Sequence, residues 1–157
     1  MKSIMHSAFA YCSSLEEVVV PDSVVEMGNC VFMYCTSLKR AMLGGNYNDF
    51  DNIFLDCSNL SYVELPEGIK LLDGFRYCKS LEEIRIPTTV RLIRGVAFMG
   101  CEKLKYVYLP SKLIVGSDAF AGCGAITFYV YGDEIPEGYG EGWMPKGSNV
   151  VLAKEAQ

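Results

Sequence analysis

From Ile4 onward the apolar residues of this chain follow a recurring figure. A Phe is followed three residues later by Cys, three later again by Leu or Ile, and then by a stretch in which alternate residues are apolar. The aromatic and thiol positions are Phe9/Cys12, Phe32/Cys35, Phe54/Cys57, Phe75/Cys78, Phe98/Cys101 and Phe120/Cys123, with successive cysteines 23, 22, 21, 23 and 22 residues apart. The next position holds Leu15, Leu38, Leu60, Leu81, Leu104 or Ile126. The alternating stretches carry Val18/Val20, Ala41/Leu43, Val63/Leu65, Ile84/Ile86, Val107/Leu109 and Tyr129/Tyr131, and close at Pro21, Gly44, Pro66, Pro87, Pro110 and Gly132. A period of two predicts a short strand with one buried face. Proline at its end removes a donor where pairing should stop.

Further apolar residues stand three after the proline (Val24, Ile69, Val90, Leu113) and five before the Phe (Ile4, Met27, Ile93, Val115). Each copy thus offers several inward side chains, and no copy could bury them alone. Stacking supplies the missing surface, and a period in the low twenties with L-x-x-V/I-x-L strands is the signature of a leucine-rich-repeat solenoid. The residue before each Phe is small or apolar, which predicts a short helical or 3-10 turn on the convex side. The expected fold is a β-rich, α/β-type right-handed solenoid of about six repeats of 21–23 residues with one short parallel strand each, over 1–132. Residues 133–157 are expected to form a C-terminal cap and polar tail within the same single domain.

Some copies are irregular. Gly44-Gly45-Asn46 interrupts the second, so that 44–52 reads as a turn that protrudes, with Tyr47 and Phe50 taking the inward places. In the fourth, Leu72-Asp73-Gly74-Phe75 lacks two residues before the Phe, so the stack should pinch there. Ile135, Trp143 and Val150–Leu152 are placed to cover the last turn, whereas no equivalent cap precedes Ile4. That asymmetry points to self-association through the first repeat or to repeats continuing upstream.

Composition narrows the function classes. A net charge of -5 argues against a nucleic-acid partner, which needs clustered Lys and Arg. No apolar run approaches the ~20 residues of a membrane helix, and MKSIMHSAF shows no secretory h-region. Of seven cysteines, six share one place in the repeat, which reads as a column of free thiols behaving as small hydrophobes. No Cys-x-x-Cys marks a metal site, and Cys30 lies off the column. The one histidine, His6, has no nucleophile-elbow context beside it. No catalytic, cofactor-binding or metal-ligating set is expected.

The stretches VVVPDSVVEMGNCVFMYCTSL and IRIPTTVRLIRGVAFMGCEKLKYVYLP resemble the BspA-like (Treponema-type) leucine-rich repeat, over about residues 4–132. The resemblance implies a non-catalytic scaffold of the adhesion or host- and matrix-binding type. It also implies an extracellular or cell-surface location, and a protein or glycan as partner.

Between the inward pairs, two columns should face outward from the strands. One reads Glu17, Arg40, Tyr62, Glu83, Tyr106, Phe128, and the other Val19, Met42, Glu64, Arg85, Tyr108, Val130. Tyrosine gives rigid contact area with a polar tip. The expected partner surface is therefore Tyr106, Tyr108, Phe128 and Val130, edged by Tyr62, Glu64, Glu83 and Arg85. The alternative is a structural spacer, or an assembly module stacking through the uncapped first repeat.

Overall fold

The computed structural model describes residues 2–135 and 137–154. The chain winds into seven stacked turns of parallel β structure, and no helix occurs among the described residues. Each of the first six turns passes through a short back strand, a tight corner carrying the Phe and Cys, and a front strand. The back strands are β1 (Ser3–Ile4), β3 (Glu26–Met27), β5 (Asp49–Asp51), β7 (Leu71–Asp73), β9 (Leu92–Ile93) and β11 (Ile114–Val115). The front strands are β2 (Glu17–Val20), β4 (Arg40–Leu43), β6 (Tyr62–Glu64), β8 (Glu83–Arg85), β10 (Tyr106–Leu109), β12 (Thr127–Tyr131) and β13 (Asn149–Ala153). The expected solenoid is present, with two strands per turn instead of one.

The corners are turns, and their backbone explains why no helix forms. Ser7, Cys30, Asn52, Val96 and Asp118 have φ between 51° and 63°, and so do Tyr34 and Asp56 two residues beyond their Phe. A left-handed residue ends helical propagation and turns the neighbouring peptide groups along the stack axis. Phe32 N–H then donates to Ile53 C=O at 2.9 Å, and Phe98 N–H to Ala119 C=O at 2.8 Å, so each corner is stitched to the next turn. Cys30 is off the thiol column because it fills one of these left-handed places.

The column Phe9, Phe32, Phe54, Phe75, Phe98, Phe120 runs along the stack with ring centroids 5.0–5.7 Å apart, exposed at Phe9 and buried from Phe32 onward. Burying one such ring stabilises by about 1.5–3 kcal/mol, and a well-placed aromatic pair adds ~0.5–1.5 kcal/mol. Beside it stands the thiol column. Cys57 Sγ donates to Phe32 C=O at 3.0 Å and Cys101 Sγ to Phe75 C=O at 3.0 Å, with Cys35, Cys78 and Cys123 repeating the bond one turn apart. All seven cysteines are free. Each buried S–H therefore has an acceptor, and a disulfide would remove the donor.

The seventh turn lies in the region expected to be a cap. Tyr139 bridges to Val115, Trp143 packs its ring edge on Phe128 at 4.6 Å, and β13 pairs with β12 from Thr127↔Asn149 to Tyr131↔Ala153. Ile135 is exposed and Tyr139 does the covering in its place. The last three residues of the expected polar tail lie outside the described residues. Far from protruding, 44–52 folds into the stack: Tyr47 and Phe50 are buried and Asp49–Asp51 is β5.

Neither ladder runs unbroken. On the back, β1–β3 is separate from β5–β7–β9–β11; on the front, β2–β4–β6 is separate from β8–β10–β12–β13. The front break falls at the shortened fourth turn, where a pinch is expected. There Leu72 precedes Phe75 by three residues, whereas its ladder partner Ile93 precedes Phe98 by five. Side chains replace the missing ladder: the Glu67 carboxylate accepts from Thr88 N–H and Oγ1–H and from Thr89 N–H, and Gly68 N–H donates to Thr89 Oγ1.

Candidate interaction face

The front sheet presents the outward columns. Glu17, Arg40 and Tyr62 are cross-strand partners, as are Glu83, Tyr106, Thr127 and Asn149, and Arg85, Tyr108, Tyr129 and Val151. Tyr62, Glu64, Glu83, Arg85 and Tyr106 are exposed, and Tyr108 is half-buried. Arg40 lies 4.6 Å from the Tyr62 ring centre, and its Nε is 3.7 Å from Glu17. Glu64 and Arg85, expected to be neighbours on one ladder, lie on opposite sides of the break between β6 and β8.

Two expected surface residues are in the core instead. Phe128 and Val130 are fully buried, and Thr127, Tyr129 and Tyr131 face outward. The sixth repeat has one residue fewer between Ile126 and its strand than the fifth has after Leu104: Val107 pairs with Phe128, not with Tyr129. A one-residue change inverts every side chain of a strand. The signal was available in Ile126-Thr127-Phe128-Tyr129-Val130-Tyr131, where the residues without a polar atom are Ile126, Phe128 and Val130.

The outward tyrosine patch therefore extends to Tyr129 and Tyr131. Tyr108 and Tyr129 stack at 4.9 Å, Tyr106 lies 6.5 Å from Tyr129, and the Arg85 guanidinium sits 4.1 Å over the Tyr108 ring. Cross-strand aromatic pairs contribute ~0.2–1 kcal/mol, so the rings hold one another upright. Desolvation raises the Tyr108 hydroxyl pKa against the opposing pull of Arg85. Below this face runs a row of exposed ion pairs, Glu16–Lys39 at 2.9 Å, Lys79–Glu102 at 2.9 Å and Glu82–Lys105 at 3.6 Å. Each is worth ~0–1 kcal/mol.

His6 is exposed on the first turn. Among the described residues, no group of three or more His, Cys, Asp and Glu converges as metal ligands would, and no helix is long and apolar enough to cross a membrane.

Residues 1–74 match the family model described as BspA type leucine rich repeat region (6 copies), and the same turn geometry continues through the later repeats. Residues 1–74 thus carry leucine-rich repeats of the BspA type. A solved leucine-rich repeat protein from Bacteroides ovatus is similar to this chain, with a TM-score of 0.76 and 25% identity over 98% of this chain and 43% of its own. Another from Eubacterium ventriosum has a TM-score of 0.69 and 26% identity over 76% of this chain and 33% of its own. The T. pallidum leucine-rich repeat protein shares the fold, with a TM-score of 0.63 at 23% identity over 93% of this chain and 72% of its own. The chain thus spans less than half the length of the Bacteroides and Eubacterium proteins. No curated protein sequence matches it. Proteins built from these repeats are typically of the protein-interaction or cell-surface type.

Proposed function

We propose that this chain is a non-catalytic interaction module of the adhesion or matrix-binding type, and that its front sheet face receives a protein partner. The observation that carries this reading is the cluster of outward tyrosines Tyr106, Tyr108, Tyr129 and Tyr131 beside Arg85 on a rigid sheet. Rings braced against neighbours lose little conformational entropy on contact, which makes them good anchors. The same bracing favours a protein over a glycan. Arg85 and Tyr129 cover the faces of Tyr108, and Arg40 covers Tyr62, so the patch offers ring edges and hydroxyls in place of open stacking platforms. The test is Tyr106→Ser with Tyr108→Ser against a panel of purified extracellular-matrix proteins and a glycan array, with circular dichroism as the folding control. Capture by a matrix protein that falls about tenfold or more in the folded variant supports the reading. Unchanged capture removes this patch as the site.

A second reading is assembly by stacking through the first turn, where Met5 is 71% and Phe9 40% exposed. Light scattering after size exclusion decides it: a monomer at all concentrations ends this reading.

A further inference from the structure

We infer that the cleft between β6 and β8 receives a lysine or arginine side chain from an extended segment of the protein partner. This narrows the front-face reading and rests on it. The cleft has a volume of about 340 Å3 and opens where the front ladder parts. Val63 and Leu65, both half-buried, supply its exposed apolar surface among polar and charged residues. The parting uncovers part of the core here. Val63 is only half-buried, although its equivalents Ala41, Ile84 and Val107 in the neighbouring turns are wholly buried.

Carboxylates mark the rim. Glu64 and Glu83 line the same cleft from opposite sides of the break, and among the described residues neither makes a salt bridge. The other charged groups at the cleft are occupied, Glu67 by Thr88 and Thr89 and Arg85 by the Tyr108 ring. An occupant that matches this arrangement has an apolar stem and a cationic tip. Lysine and arginine side chains have that division, laying their methylenes on apolar surface while the charge stays at the rim. An acidic side chain would meet two like charges, and a simple apolar one would leave the rim carboxylates unanswered. β6 pairs with β4 and β8 with β10, and no ladder joins the two edges that face each other across the cleft, where an extended segment can lie along them.

The test is a nuclear magnetic resonance titration of the 15N-labelled chain with the capped pentapeptides Ac-Ser-Val-Lys-Val-Ser-NH2 and Ac-Ser-Val-Arg-Val-Ser-NH2. Versions with norleucine or glutamate at the centre are the controls. The expected result is saturable shifts at the amides of Val63, Glu64, Glu83 and Thr88 with the cationic peptides only, weakened about tenfold or more by Glu64→Gln with Glu83→Gln. Equal shifts with the norleucine peptide, shifts spread over the whole face without saturation, or indifference to the double variant would each overturn the inference. Running the same titration on Tyr106→Ser with Tyr108→Ser separates the two readings. If the tyrosine variant loses the matrix partner while wild-type chain takes up no cationic peptide, only the cleft assignment fails. If cleft binding is seen and the tyrosines do not matter for capture, the broader patch fails instead.

Discussion

Phe50 and Phe75 stack with centroids 5.5 Å apart and planes 16° from parallel, although they hold different places in the repeat. Phe75 belongs to the central aromatic column, while Phe50 stands where other turns have Met27, Leu72 or Ile93. The extra ring fills the space left where the fourth turn is short and where Gly74 replaces the Ala, Val or Ile of its equivalents. A Cβ at Gly74 would lie 3.1 Å from the Phe50 ring and 3.0 Å from Ile53 N. Gly74→Val is expected to destabilise the fold by about 1–3 kcal/mol through overpacking, read as a lower denaturation midpoint in urea. Combining it with Phe50→Leu should recover part of the loss, because the two sites share one volume.

Val96 is a β-branched residue held at φ 63°. Equivalent corners use Ser7, Cys30, Asn52 and Asp118, none of them β-branched, and Asn and Asp favour the left-handed region. Val96→Asn is expected to stabilise by about 1 kcal/mol, measured as a higher melting temperature. A fall would mean that the half-buried isopropyl group contributes more than its backbone costs.

Asp73 is buried directly across the back ladder from Asp51, and its Oδ1 has no hydrogen-bond partner. Burial, and then the charge of Asp51, push its pKa up against the opposing pull of Arg76 and Arg94. Because the folded value is raised, the fold favours the protonated form. That stabilisation is complete below the ordinary carboxylate range and is lost as pH rises through the raised value. Asp73→Asn should flatten this slope and raise stability at neutral pH by about 1 kcal/mol, by giving the orphan position a donor. Melting temperatures of both proteins across the acid range check it; parallel curves would show that Asp73 does not titrate with folding.

Cys12 is exposed, while burial pushes the thiols of Cys57, Cys78 and Cys101 well above the usual range. Native alkylation with iodoacetamide, followed by peptide mass spectrometry, should label Cys12 quickly. The three column thiols should react ~100-fold more slowly, because they need local unfolding first. Rapid labelling of Cys78 would show that the stack opens near its middle.

Much of this architecture could be read from residue spacing, because a repeat writes each inward position several times. Phe9 through Phe120 and Cys35 through Cys123 stand in file as the period requires. The second strand of each turn was harder to see, since pairs such as Glu26–Met27 and Leu92–Ile93 are too short to show an alternation. The corners looked helical because Phe-x-x-Cys fits a helical turn, and only backbone angles at residues such as Cys30 and Asn52 reveal otherwise. At the candidate surface the legible part was Tyr62, Glu64, Glu83, Arg85, Tyr106 and Tyr108. Phe128 and Val130 were misplaced because a single missing residue after Ile126 leaves the Cys period unchanged. The cleft left no mark in composition at all. It arises from the missing ladder at the shortened fourth turn, whose trace in the chain is the short step from Leu72 to Phe75.

The back seam lies between the second and third turns and the front seam between the third and fourth, like offset joints in brickwork. A crack that starts at one seam meets intact bonding on the opposite wall of the same course. Under tension along its axis, the molecule therefore has no single plane along which both walls part, and a scaffold with two interrupted walls still resists shear as one body.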